Sequence, residues 1–106
     1  MKNIDISSKN NILIEDGFKV LRYENDSKLL VNEKMSITRE FIQFHFCLKG
    51  LAKLIFNNGN YEFEVNEEHV VLLYNPMQDL PLNLNLESNT WVVSVIISIS
   101  KFHSLF

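Results

Sequence analysis

Residues 39–65, "REFIQFHFCLKGLAKLIFNNGNYEFEV", carry the clearest fold signal in the chain. Apolar and polar residues alternate there with a period of two, which is typical of β-strands. The pattern predicts a strand over residues 41–48, a break at Gly50 and a second strand over residues 52–56. Asn-Asn-Gly-Asn at 57–60 predicts a tight hairpin turn, because Asn and Gly tolerate the positive φ angles that such turns require. A returning strand with one solvated face is expected over residues 61–65.

The same period extends outward in both directions from this stretch, whereas helical periodicity is almost absent. Further strands are predicted up to residue 14 and over residues 18–23, 29–31, 69–74, 82–86 and 91–100. A proline-containing loop is expected over residues 75–81, and only "KFHSLF" at 101–106 has the character of a helix start. Eight or nine short strands with frequent turns predict an all-β sandwich or barrel.

Length and composition indicate one soluble globular domain, since 106 residues with 46% hydrophobic and 22% charged residues suit a single core. No apolar run approaches the roughly 20 residues of a membrane-spanning helix, and the N-terminus has no apolar signal core. The single cysteine cannot form an internal disulfide, which is typical of a reducing compartment. The sequence therefore predicts a cytoplasmic protein without a membrane partner.

The distribution of charge argues against nucleic-acid binding by these residues. No Lys or Arg occurs between Lys53 and Lys101, while six acidic residues do. The first 53 residues carry nine Lys/Arg against seven Asp/Glu, which does not form a basic stripe. A nucleic-acid surface needs several cations to neutralise phosphates. Any contact with DNA is therefore expected only through a domain absent from this chain.

Gln43, His45 and Cys47 raise the question of a chemical site, because alternate residues of a strand share one face. A cysteine nucleophile would need His45 within hydrogen-bond reach, and neighbouring positions on one strand make that geometry awkward. A metal site needs three or four converging ligands, and neither His69 nor His103 has ligand spacing to His45. A hydrogen-bonded interior histidine is the favoured interpretation, with contact to a ligand as the alternative. No catalytic residue, metal site or cofactor is predicted.

Four segments resemble a known family: "FHFCLKG" (44–50), "LIFNNGNYEFEV" (54–65), "LLYNP" (72–76) and "WVVSVIISISKFHSLF" (91–106). Their order resembles the cupin core and, more narrowly, the N-terminal domain of AraC-type bacterial transcriptional regulators. The resemblance implies a cupin-like jelly roll, or double-stranded β-helix, in a single domain over residues 1–106. Residues 1–34 would form an N-terminal arm and first strands, residues 35–100 the core barrel, and residues 101–106 the start of a linker helix.

The resemblance also implies where cupin enzymes would hold their metal. Aligned on Gly50, the metal-binding glutamate falls on Gln43, and two histidine positions fall within residues 36–39, where there is no histidine. Aligned on Pro76, the last histidine falls near Leu80. All four ligand positions lack a ligand residue, which favours a regulator that binds effectors without metal. The rival hypothesis is a stand-alone small cupin with enzymatic or metal-dependent activity, and a third is an interaction domain with a filled interior.

In the regulator interpretation, Gln43 and His45 point into the barrel and contact a small-molecule effector such as a sugar or another metabolite. Tyr74 and Trp91 are further candidate lining residues, with core packing as the alternative for both. Ser94 lies on the face of its strand opposite Trp91 and is a candidate hydrogen-bonding group. The strand at 41–48 is apolar on its other face too, so a helix or a second subunit is expected to cover that face, and a homodimer is expected.

Overall fold

The computed structural model describes residues 8–105, so residues 1–7 of the predicted N-terminal arm and first strands (1–34) lie outside them, as does Phe106. The described residues form nine strands and a short helix. These are β1 (Ser8–Glu15), β2 (Phe18–Asn25), β3 (Val31–Met35), β4 (Phe41–Lys49), β5 (Leu51–Phe56), β6 (Tyr61–Asn66), β7 (Val70–Leu73), β8 (Leu82–Leu86), β9 (Thr90–Ser98) and α1 (Ile99–Leu105). The prediction of an all-β fold with a short C-terminal helix is confirmed. Within these residues, no helix has both the length and the apolar character needed to cross a membrane.

The strands form two antiparallel sheets. One has five strands in the order β1-β2-β9-β4-β7, and the other has four in the order β3-β8-β5-β6. The chain changes sheet on either side of β3, between β4 and β5, between β6 and β7, and again on either side of β8. This repeated crossing between two facing antiparallel sheets is the jelly-roll arrangement.

The opening stretch occupies the position that its pattern predicts. β4 lies between β9 and β7 in the five-stranded sheet. Gly50, with φ +84°, then turns the chain into β5 of the other sheet. β5 and β6 form the predicted hairpin, with Phe56 paired to Tyr61, and Asn58 and Gly59 supply positive φ angles in the turn. The local chemistry of Gly and Asn thus sets both changes of direction.

The core lies between the inner faces of the two sheets. Leu54, Leu84 and Leu86 have no exposed surface and face Tyr23 and Val92 of the five-stranded sheet within one apolar cluster. The desolvation of buried apolar groups provides most of the driving force for such packing. The interior between the sheets is thus largely filled by side chains.

Two predicted faces are more exposed than the pattern suggests. Phe63 is 49% exposed, although its partner Leu54 is fully buried, because β6 is the edge strand of its sheet. The strand predicted over residues 69–74 is present as β7, but Val70 and Leu72 on one of its faces are 60% and 58% exposed. β7 is an edge strand of the five-stranded sheet.

Asn25 joins the two sheets at the end of β2. The predicted strand ended at residue 23, but β2 continues to Asn25, which is fully buried. Its side-chain amide donates to the carbonyls of Leu86 at 3.0 Å, Glu87 at 3.1 Å and Leu29 at 2.8 Å. These contacts satisfy carbonyl groups at the end of β8 and in the loop that leads to β3.

Candidate functional site

Three neutral polar side chains form a buried chain of hydrogen bonds across the five-stranded sheet. His45 of β4 contacts Ser94 of β9 through Nδ1 and Oγ at 2.7 Å, and Gln43 of β4 through Nε2 and Oε1 at 2.8 Å. Gln43 Nε2 donates to the Leu80 carbonyl oxygen at 2.7 Å. The exposed fraction of Gln43, His45 and Ser94 is 1% or less, so the chain lies within the core. The prediction that Gln43 and His45 point inward agrees with this arrangement.

The hydrogen-bond partners determine where each proton lies. A backbone carbonyl can only accept, so Gln43 turns its amide NH₂ toward Leu80 and its amide oxygen toward His45. An amide oxygen can also only accept, so His45 carries its proton on Nε2. His45 Nδ1 therefore accepts the hydroxyl proton of Ser94. Every polar atom along this chain has a partner of the right kind, which offsets the cost of its burial.

Burial lowers the pKa of His45 from 6.5 to about 4, because the charged imidazolium would lose its hydration in the core. Ser94, His45 and Gln43 have the order of a nucleophile, a base and an orienting group. However, Ser94 has no exposed surface, and a neutral amide offers no charge to stabilise an imidazolium. The geometry therefore favours a structural polar chain over a nucleophilic centre.

Cys47 does not use His45 as a base, since both ring nitrogens of His45 are engaged by Ser94 and Gln43. The Cys47 thiol is fully buried and donates to the Lys49 carbonyl at 3.3 Å. Burial raises the pKa of this thiol above its usual value, so the reactive thiolate is disfavoured. Cys47 behaves as a small buried side chain.

The residues at the implied metal position do not fit a metal ion. The register expected from the sequence put the glutamate at Gln43 and the last histidine near Leu80, and these two residues do meet in the structure. Gln43 presents a neutral amide whose oxygen already accepts from His45, and the Leu80 side chain is apolar. Within residues 8–105, no three His, Cys, Asp or Glu side chains are grouped as ligands would be. The donor set lacks the carboxylate and imidazole groups that such metals require.

A large open groove, here called the mouth groove, lies directly beside this polar chain. The ends of β3 and β5 and the starts of β6 and β8 meet at one end of the four-stranded sheet, and residues 78–81 complete the wall. The groove has a volume of about 1030 Å³. Its polar lining includes Lys34, Asn58, Gln78, Asp79 and Asn83.

Aromatic and apolar side chains provide the rest of the lining, including Met35, Phe56, Tyr61 and Leu82. Tyr61 is 64% exposed and presents its ring at the rim. The lining thus combines amides, one acid, one base and aromatic surface. This composition suits a neutral ligand that carries both polar groups and apolar faces.

Hydrogen bonds hold the loop over residues 74–81, which forms one wall of the mouth groove. Gln43 holds the Leu80 carbonyl from inside the barrel at 2.7 Å. Asp79 Oδ1 accepts from the backbone N–H of Arg39 at 2.8 Å, and Asn75 Oδ1 accepts from that of Met77 at 2.8 Å. The loop is therefore fastened both to the buried polar chain and to the segment before β4.

Tyr74 and Trp91 do not join Gln43, His45 and Ser94 in the interior. Trp91 lies on the outer face of β9, where its Nε1–H donates to Asp26 at 2.8 Å and Lys49 Nζ lies 5.3 Å from the centre of its ring. Tyr74 is 40% exposed and lines a smaller outer groove of about 470 Å³, next to Arg39 and Ser98. The expectation that these two aromatics line the barrel interior is corrected, because adjacent strand positions point to opposite faces.

Sequence reasoning missed the residues of the mouth groove. Tyr61 was interpreted as part of a strand, and Asn58 only as a turn residue, yet they meet Asp79 and Asn83 at one end of the sheet. The available signal was the hairpin turn itself. In an antiparallel sheet, the end of one strand lies beside the start of the next, so turn and loop residues gather at the same end.

Comparison with solved structures identifies the fold. A cupin domain of an XRE-family transcriptional regulator from Enterobacter cloacae matches with a TM-score of 0.64 at 11% identity, over 88% of this chain and 97% of that one. A double-stranded β-helix protein from Klebsiella pneumoniae matches with a TM-score of 0.66 at 11% identity, over 92% and 77% of the two chains. An HTH_3-family transcriptional regulator from Vibrio cholerae matches with a TM-score of 0.64 at 11% identity, over 88% of this chain.

The chain spans about half the length of the Vibrio regulator, since the match covers 51% of it. No protein-family model matches the sequence, and a search of curated proteins gave no match. At these identities the likeness shows the fold alone. The chain has the cupin fold, a double-stranded β-helix, which confirms the fold implied by the sequence resemblance.

Proposed function

We propose that this chain is the effector-sensing cupin domain of a bacterial transcriptional regulator, and that it binds a small neutral ligand in the mouth groove. DNA contact belongs to a domain outside this chain, and the residues here carry no catalytic role. The motif resemblance to AraC-type regulators supports the sensing role. The HTH_3 and XRE regulators among the structural neighbours support a regulatory cupin domain of a wider kind. A cytoplasmic location follows from this role.

The observation that carries the proposal is the mouth groove. Its volume of about 1030 Å³ exceeds the roughly 300 Å³ that small-molecule sites usually need. Amide groups on Asn58, Gln78 and Asn83 offer both donors and acceptors, and the Tyr61 ring offers a flat apolar surface. Lys34 contributes one positive charge and Asp79 one negative charge, so the lining of the groove has no net charge. Neutral hydroxylated molecules such as sugars match this combination of groups.

The hydrogen bonds of the buried polar chain connect the wall of the mouth groove to the strand that precedes the C-terminal helix. The groove wall at Leu80 is bonded to Gln43, Gln43 to His45, and His45 to Ser94 on β9. β9 leads directly into α1, whose first residue, Ile99, donates its N–H to the Glu40 carbonyl at 2.9 Å. A ligand that binds two positions of the loop with different affinity would bias the elements joined by these bonds.

Tyr61→Ala is expected to weaken ligand binding by about tenfold or more, because it removes the aromatic surface at the groove rim. A panel of neutral monosaccharides and disaccharides is screened against the purified chain by thermal shift, and the best binder is measured by calorimetry. Phe63→Ala is the matched control, since Phe63 is also an exposed aromatic of β6 but does not line the groove. Equal losses in both variants, or no binder in the panel, would contradict the proposal.

The rival, a metal-dependent cupin, makes an opposite prediction. Purified protein incubated with iron, nickel, manganese or zinc and then desalted is expected to retain far less than one equivalent by elemental analysis. The reason is that Gln43 offers a neutral amide in the place of a carboxylate. Retention of about one equivalent, lost in Gln43→Ala but not in the outlying His103→Ala, would favour the rival.

A further inference from the structure

The outer faces of the two sheets differ in character. The four-stranded sheet is polar outside, where Asn32 Nδ2 donates to Asn83 Oδ1 at 2.6 Å and to Asn85 Oδ1 at 2.8 Å. The five-stranded sheet is apolar outside. Its outer apolar face consists of a row of Leu72, Phe44, Val95 and Val20 and a second row of Val70, Phe46 and Val93, as the strand register shows.

Among the described residues, this outer apolar face is covered only at one end. Ile42 and Ile97 continue the face beyond Phe44 and Val95, and they are only 8% and 4% exposed. α1 begins beside them, since Ile99 follows β9 and bonds to the residue before β4. Toward β7 the cover ends, and Val70 and Leu72 are more than half exposed. The face thus continues from a covered region into an open one.

The size of the outer apolar face is that of an interaction surface. Strands about 4.8 Å apart and rows about 6.8 Å apart give it an area of roughly 300–400 Å², once the bulk of the side chains is included. Exposed apolar patches of this size on soluble chains are often functional. With Trp91 and Tyr74 at its rim, it offers roughly 500 Å² to a partner, or about 1,000 Å² in total, which is the size of weak or transient interfaces.

Charge favours a second copy of the chain as that partner. The protein carries a net charge of −3, so copies repel each other over most of their surface. The second row of the outer apolar face continues on β2 into Arg22, which pairs with Val93, and Arg22 lies 2.9 Å from Glu24, so these two charges neutralise each other. Two copies related by a two-fold axis would therefore bring no net charge together. A neutral apolar surface is also complementary to itself, as a two-fold interface requires.

We propose that two copies of this chain associate through the outer apolar faces of their five-stranded sheets. The pair packs sheet on sheet, with Val70, Leu72 and the phenylalanines of β4 at its centre. The modest area makes this a reversible dimer, with a dissociation constant in the micromolar range. The face lies on the opposite side of the five-stranded sheet from the buried polar chain, so the dimer does not depend on a ligand in the mouth groove.

Sedimentation velocity of the full chain from about 1 to 500 µM tests the proposal, with the concentration range set by the interface size. The wild type is expected to shift from monomer to dimer within that range. Leu72→Glu and Val70→Glu are expected to weaken the dimer by at least about tenfold, because each buries an unpaired charge at the interface. Both positions are largely exposed in the monomer, so both variants should keep their melting temperature.

Phe63→Glu is the matched control, because it places the same charge on an exposed apolar residue at the edge of the other sheet. It should dimerise like the wild type. If the wild type stays monomeric up to about 500 µM, the proposal is overturned, and the outer apolar face would then have to bind a different protein. Equal effects of Leu72→Glu and Phe63→Glu overturn it as well. Neither result bears on sugar binding, which is measured separately through Tyr61→Ala.

Discussion

Gly50→Ala is expected to destabilise the protein by at least about 3 kcal/mol, a large part of the roughly 5–15 kcal/mol of a typical domain. Gly50 has φ +84°, and a Cβ there would lie 2.5 Å from the Asn89 carbonyl oxygen and 2.8 Å from Thr90 Cα. Both atoms belong to the backbone. Thr90 is fully buried, and its hydroxyl bonds with both the N–H and the carbonyl of Leu51 at 3.1 Å. The clash therefore cannot be relieved by a side-chain rotation, and urea denaturation measures its cost.

Gly59→Ala separates the cost of the clash from the cost of the backbone conformation. Gly59 has φ +91°, but a Cβ there would have no neighbour within 4 Å. Alanine at this position is expected to cost only about 1–2 kcal/mol, which is the strain of a left-handed conformation. If both variants lose the same stability in urea, the close approach of Gly50 to the Asn89–Thr90 backbone is not what requires glycine.

The strand pattern was enough to predict the fold class, an all-β sandwich or barrel, and the resemblance implied the cupin-like jelly roll within that class. Gly50 and the Asn-Asn-Gly-Asn turn mark where β4, β5 and β6 begin and end, because backbone conformation at such turns depends on local residue type. The register of the resemblance even brought Gln43 and Leu80 to the same place, and their hydrogen bond of 2.7 Å agrees with it. These features depend on short stretches of chain, which a single sequence can reveal.

Exposure at sheet edges could not be predicted in the same way. The runs around Val70 and Phe63 have the composition of buried strands, yet both belong to edge strands whose outer neighbours are missing within the described residues. Which strand is an edge depends on the order of strands in a sheet, and that order joins residues far apart in sequence. The mouth groove was missed for the same reason, since its walls come from four strands and a loop.

The position of Trp91 on the outer face could have been predicted from the sequence. Trp91 and Ser94 lie three positions apart on one strand, so they point to opposite faces and cannot both line one interior. Ser94 is fully buried beside His45, whereas Trp91 packs outside against Asp26 and Lys49. Strict use of the period of two would have assigned Ser94 to the interior and Trp91 to the outer face.

Lowering the pH is expected to destabilise the fold through His45. The unfolded chain binds a proton on this imidazole near pH 6.5, whereas the folded protein, with a pKa of about 4, does not. The unfolded state therefore binds more protons between pH 6.5 and 4, and stability falls as the pH falls through that window. The fall of the His45 pKa from 6.5 to about 4 corresponds to about 3 kcal/mol of folding stability, which is fully retained above pH 6.5 and lost by about pH 4. Urea denaturation at several pH values measures it.

His45→Gln isolates this contribution, because glutamine does not titrate and still offers a donor and an acceptor to Gln43 and Ser94. Its stability should be lower than that of the wild type at pH 7 and should depend less on pH, so that the two curves approach each other toward pH 4. His69→Gln is the matched control, because it makes the same change of residue at an exposed position in the turn before β7 and should keep the loss of stability that His45 causes between pH 6.5 and 4. Parallel curves for the wild type and His45→Gln would mean that His45 does not enter the core as a neutral group. A charged imidazolium would carry a proton on Nδ1 as well as on Nε2, so Gln43 would still accept from Nε2, whereas Ser94 would have to accept from Nδ1 instead of donating to it.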